Sequence, residues 1–129
     1  MTRDLRNYLA EPHPRHLHYG RHDCLTFVTA WLQRATGRDL LEGQRYTSLR
    51  DGQQKLAAHG LGDHIDLLAR ALPEIPVLQG RAGDIAVLPG DRRPALGIVA
   101  PGGEHVAALT PRGRALMPLT RATRMFRSR

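Results

Sequence analysis

The stretch GRHDCLTFVTAWL, residues 20–32, decides how this chain is read. Leu25, Val28, Leu32 and Ala35 recur at helical spacing, and Phe27 and Trp31 widen the apolar stripe. Asp23 stands where such a helix takes its N-cap, and Gly37 where it takes its C-terminal stop. Cys24, the single cysteine, therefore opens the clearest helix in the sequence. A thiol acts as a nucleophile in its thiolate form, which the free N–H groups and dipole of a helix N-terminus favour. A lone cysteine also packs well as a small hydrophobe. With no second cysteine there is neither an internal disulfide nor a cysteine-based zinc cage, so packing and reactivity are the two roles to weigh.

Upstream, TRDLRNYLAE predicts a short helix with Leu5, Tyr8 and Leu9 on one side, ended by Pro12 and Pro14 and followed by a His- and Pro-rich loop. Downstream, Ser48 is an N-cap with Asp51 three residues on, and Gly60 is the matching stop. DHIDLLARAL predicts another helix from Asp63, aligning Ile65, Leu68, Ala69 and Leu72 and closed by Pro73. Beyond it the pattern changes to short apolar runs, GDIAVL, ALGIVA, EHVAAL and RALMPL, separated by PGDRRP, PGG and TPRG turns. Helices followed by a strand meander predict an α+β fold, with the N-terminal helices packed on a small antiparallel β-sheet. The 129 residues suit one domain, 1–129, in which 1–18 is the first helix and its loop and 119–129 a basic C-terminal tail.

Apolar residues make up 41% of the chain, yet no apolar run approaches the roughly 20 residues that cross a bilayer, so no membrane span is expected. The opening MTRDLRNYLAEP has no apolar core of a signal peptide, which predicts synthesis ending in the cytoplasm. The net charge of +7 is nearly all arginine, Lys55 being the one lysine. A basic balance raises the prior for nucleic acid, but the arginines are scattered, and two Phe, three Tyr and one Trp offer little to stack on bases. No nucleic-acid partner is expected. The local concentration of charge is LTRATRMFRSR, where Arg121, Arg124 and Arg127 accompany Met125 and Phe126. It reads either as a solvated end or as a docking segment anchored by the two apolar residues.

His13, His16, His18 and His22 lie close to Cys24 in sequence, and His16-x-His18 on an extended chain would point both rings one way. The spacing matches no zinc signature, so neither a metal nor a cofactor is expected. Asp23 is expected to cap its helix, and Asp84, following Gly83, to close a turn by accepting backbone N–H groups.

The blocks Tyr19-Gly20-x-His22-Asp23-Cys24, then Phe27 and Trp31, then Arg81-x-Gly83-Asp84-Ile85-x-Val87-Leu88, then Ala95-Leu96-Gly97-Ile98-Val99 resemble the NlpC/P60 superfamily of papain-like cell-wall peptidases. More narrowly, they resemble the small NlpC/P60-like proteins encoded in phage and prophage tail-gene clusters. The resemblance implies a papain-like fold, with the cysteine opening a helix and the Gly-Asp block leading into the first strand of the sheet against it.

The resemblance also exposes a departure. Active members carry the base histidine at the start of the strand where this chain reads Ala95-Leu96-Gly97-Ile98, and a polar orienting residue on the next strand, where it reads Val106-Ala107-Ala108. Loss of a general base removes activation that usually contributes about 10²–10⁴-fold. His105, at the start of that next strand, and His22, two residues before Cys24, are the substitute bases the sequence offers; His59 and His64 flank the junction between the two later helices. The resemblance therefore implies a phage tail-tip or tail-assembly component, carried in the virion and made in the host cytoplasm. Its partners would be other tail proteins of the hub, tip or fibre, with the peptidase activity lost. The alternative it leaves open is a working cysteine peptidase or amidase that cuts peptidoglycan peptides during DNA entry, with Cys24 as nucleophile.

Overall fold

The computed structural model describes residues 2–12, 23–90, 93–110 and 113–128. Four helices come first: α1 (Thr2–Ala10), α2 (Cys24–Thr36), α3 (Leu49–Ala58) and α4 (His64–Ala71). Each later helix begins at a side chain that satisfies its free amides. Asp23 accepts from the Thr26 amide, Ser48 from that of Asp51 and Asp63 from that of Asp66. Gly37 ends α2 at φ +78°, a left-handed turn that glycine adopts without a Cβ penalty. Among the described residues no helix is long and apolar enough to cross a membrane.

Six strands follow: β1 (Glu74–Ile75), β2 (Ile85–Leu88), β3 (Ala95–Val99), β4 (His105–Thr110), β5 (Gly113–Pro118) and β6 (Arg124–Phe126). They form one antiparallel sheet in the order β1-β6-β2-β3-β4-β5. The run from β2 to β5 is the meander that the Gly- and Pro-punctuated sequence predicts. The fold class is α+β, with the helices in the first half and the sheet in the second.

Two strands lie outside that prediction, and one of them corrects the reading of the C-terminus. β6 inserts between β1 and β2, pairing Phe126 with both Glu74 and Ile85 and Met125 with both Ile75 and Ala86. Met125 and Phe126 are 0% exposed, so they are core residues of this chain and not anchors for a partner. The physical reason is that two large apolar side chains gain more from a ready-made interior than a solvated end can offer. The arginines around them are drawn in as well. Arg124 donates from two nitrogens to the Glu74 carboxylate at 3.0 and 2.7 Å, and Arg127 donates to the Gln79 carbonyl at 2.9 Å and pairs with Asp84 at 3.3 Å. Arg121, on the short turn before β6, stays exposed. Within the segment read as either a solvated end or a docking segment, Arg124–Phe126 is therefore an integral strand.

Asp84 ties this strand to the rest of the molecule. Its buried carboxylate accepts from the amides of Arg81 at 2.9 Å and Ser128 at 3.0 Å, closing the turn into β2 as the sequence suggests and holding the chain end too.

Both faces of the sheet are covered. Ile85, Val87, Leu96, Ile98, Leu109 and Phe126 meet the helices, while Ala86, Leu88, Val99, Val106, Ala108 and Met125 form a second cluster beneath Ile75, Val77, Met117 and Leu119. All four residues of β2 are consequently buried, which is why its sequence is a continuous apolar run with no alternation. β3 and β4 approach closely at Gly97, where a Cβ would lie 2.7 Å from the Ala107 carbonyl oxygen. On the helical side Trp31, fully buried, donates its indole N–H to the Gly83 carbonyl at 2.9 Å. Tyr8 stacks on Phe27 at 5.6 Å and donates its hydroxyl to the Phe27 carbonyl, which fixes α1 across α2. Together these contacts hold the head of α2 over the start of β3.

Candidate functional site

The head of α2 is a closed hydrogen-bond ring. Asp23 accepts from the Thr26 amide at 2.8 Å, and its own amide donates to the Thr26 hydroxyl at 2.9 Å. The second carboxylate oxygen of Asp23 accepts from the Tyr46 hydroxyl at 2.6 Å. Asp23 is thus a buried structural cap, as its position in the sequence predicts. Tyr46 is a site residue that sequence reasoning missed: it lies in the loop before α3, and only the chain's return brings it to Asp23.

Cys24 is the first residue of this helix, half-buried against the core. Burial pushes its thiol up from the usual value, the Leu96 backbone amide pulls it down, and the neighbouring Asp23 carboxylate pushes it up again. The net direction is upward. Burial and the anionic cap beside the thiol thus oppose the effect expected of a helix N-terminus.

The Leu96 contact also places Cys24 beside the start of β3, whose first residue is Ala95. His105 is at the other end of that strand. The Ala100 amide donates to the His105 carbonyl, so His105 sits about 13 Å along β3 from Leu96 at the usual strand rise. Its side chain is exposed, and the geometry does not bring it to the thiol. His22, together with His13, His16 and His18, lies outside the described residues, and so does the Tyr19-Gly20 part of the motif. Two other imidazoles line the same cavity as Cys24. His59 shares a 2.7 Å hydrogen bond with the Gln44 amide, and His64 Nε2 is 3.0 Å from the Pro94 carbonyl, next to Ala95. Among the described residues no three His, Cys, Asp or Glu side chains gather as a metal centre.

Cys24 opens onto a cavity of about 760 Å³ between the head of α2, the helices α3 and α4 and the near ends of β3 and β4. Its walls are apolar, with Leu25, Leu40, Leu41, Leu56, Leu67 and Met117 among them, and both His59 and His64 reach its surface. α3 roofs it without a single fully buried residue. Such a chamber is of the size that takes a ligand or the side chains of a docked segment. Arg124, Met125, Phe126 and Arg127 are not part of its lining, whereas the exposed Arg121 of the preceding turn is.

Among curated proteins, none matches the chain. One family model covers residues 1–128, taking in the capped thiol, the roofed cavity and β6 as a single unit. On that match the chain belongs to the family described as Domain of unknown function (DUF6950).

Proposed function

We propose that the chain is a phage tail-tip or tail-assembly component built on a papain-like scaffold of the NlpC/P60 type, and that its groove binds a neighbouring tail protein instead of cutting peptidoglycan. The tail assignment and the papain-like relationship rest on the Tyr19 to Cys24, Arg81 to Leu88 and Ala95 to Val99 sequence blocks. The observation that carries the loss of activity is the strand beside Cys24: the thiol contacts Leu96, and that strand begins with Ala95, where the resemblance expects an imidazole, while burial and Asp23 push the thiol's pKa up. A methyl group accepts no proton, so the thiol has no base on that strand. The architecture of a helix-head cysteine beside an antiparallel sheet, with an apolar groove above it, agrees with a scaffold that keeps its shape after its chemistry has gone. In this reading the domain is made in the host cytoplasm and stays in the virion as part of the tail.

The test is alkylation and hydrolysis side by side. Iodoacetamide labelling of Cys24 across a pH series should show slow reaction with no inflection below the usual thiol range. Purified sacculi incubated with the protein should release no peptide fragments. Fragment release that disappears in both Cys24→Ser and His22→Ala would overturn the proposal in favour of a working cysteine peptidase with His22 as base.

A further inference from the structure

Apolar walls and a cationic rim give the cavity a chemical preference. The exposed side chains of Arg45, Arg70, Arg93 and Arg121 line its opening, and none makes an ion pair with a described residue. Elsewhere on the chain Arg34, Arg124 and Arg127 pair with a carboxylate, whereas Arg3, Arg6, Arg38, Arg50, Arg81 and Arg114 make no ion pair with a described residue, so what sets the four apart is their place around an apolar chamber. The acidic residues of the lining are Asp23, Asp63 and Glu42, and the first two are committed to capping α2 and α4. The chamber's apolar lining and its volume of about 760 Å³ suit the side chains of a docked segment. Leu49 and Leu56 of α3 face this space half-buried, so an occupant would complete the burial of that helix.

We infer that the cavity receives a segment of a partner protein in which apolar side chains are flanked by aspartate or glutamate, the apolar part filling the chamber and the carboxylates meeting the rim arginines. The inference rests on the docking reading above and specifies the partner's chemistry. Guanidinium groups suit this role because their planar donors match a carboxylate two at a time, and a charged rim around an apolar centre gives selectivity and speed of association. The chain's own segment 13–22 is a poor occupant, because it contains Arg15, Arg21 and four histidines and no acidic residue.

The experiment is a selection from a ribosome-displayed library of random peptides on the full-length chain, with the enriched peptides then measured by fluorescence anisotropy. Enriched sequences should share an apolar centre with acidic flanks. Their affinity should fall at least about tenfold for the exposed double variant Arg93→Glu with Arg121→Glu, and should weaken steeply with added salt. Ala95→Phe, which puts a ring into the chamber, should also abolish binding, and the charge variants keep the test alive if that one misfolds. Peptides whose carboxylates are exchanged for lysine should bind the charge-reversed variant better than the parent. Enrichment of nothing, or of sequences without acidic residues, overturns the inference. So does unchanged affinity in the charge-reversed variant, tighter binding of a synthetic 13–22 peptide or of a dodecyl chain, or a dimer of the chain forming in place of the complex. Peptide release from sacculi would instead sink the docking reading itself, whereas an inert chain that selects non-acidic peptides refutes only the charge assignment.

Discussion

Replacing Phe126 by alanine distinguishes a tail folded into the sheet from one that projects into solvent. The ring is 0% exposed, pairs through its backbone with strands on both sides, and carries the Arg124 guanidinium 5.2 Å above its face. Truncating a fully buried phenylalanine to alanine typically costs about 3–5 kcal/mol, from lost transfer energy and the void left behind. A domain of this size is stable by about 5–15 kcal/mol, so the variant would lose a large share of that but remain measurable. With a urea slope of about 1–3 kcal/mol per molar, a loss near 4 kcal/mol moves the unfolding midpoint down by more than about 1 M. Trp31, the single tryptophan and fully buried, is the fluorescence probe. Leu78→Ala is the control: that side chain is 77% exposed, and surface truncations usually stay within about 0.5 kcal/mol. If Phe126→Ala shifts the midpoint no more than Leu78→Ala does, the C-terminal strand is not part of the core and the reasoning fails.

Two further outcomes follow from the ionisable groups. Asp23→Asn keeps an oxygen for the Thr26 amide, places its NH2 group against the Tyr46 hydroxyl and removes the charge beside Cys24, so the pH midpoint of iodoacetamide labelling should move down. A midpoint that stays or rises means that Asp23 does not help to hold the thiol protonated. Tyr8 is raised from 10.0 to about 12, first by burial and then by Glu11. A group with a raised folded pKa contributes stability that is complete below its unfolded value and disappears as pH climbs to the folded one. The urea midpoint should therefore fall between pH 10 and about 12, and Tyr8→Phe in a Cys24→Ala background should remove that fall; an identical alkaline limb in the variant would contradict the buried hydroxyl.

Much of the helical half is legible in the residues alone. Asp23, Ser48 and Asp63 announce the starts of α2, α3 and α4, and Gly37 announces the end of α2, because caps and helical spacing are settled within a few residues of chain. The meander from β2 to β5 is legible for a similar reason, its turns being punctuated by glycine and proline. β6 is not. RMF between arginines has the same local pattern whether it projects or pairs, and its place between Glu74 and Ile85 depends on partners far away in sequence.

For the site, the residues alone show that a single cysteine opens an amphipathic helix behind an aspartate cap, and that the ALGIVA strand begins with alanine. Only the folded chain shows that burial and Asp23 push the thiol's pKa up, that Tyr46 locks the cap, that His105 stands at the far end of β3, and that four exposed arginines line an apolar chamber. Helix caps are short-range hydrogen bonds, written locally. Desolvation and the pairing of charges depend on everything packed nearby, and in this fold the neighbours of Cys24 come from across the chain.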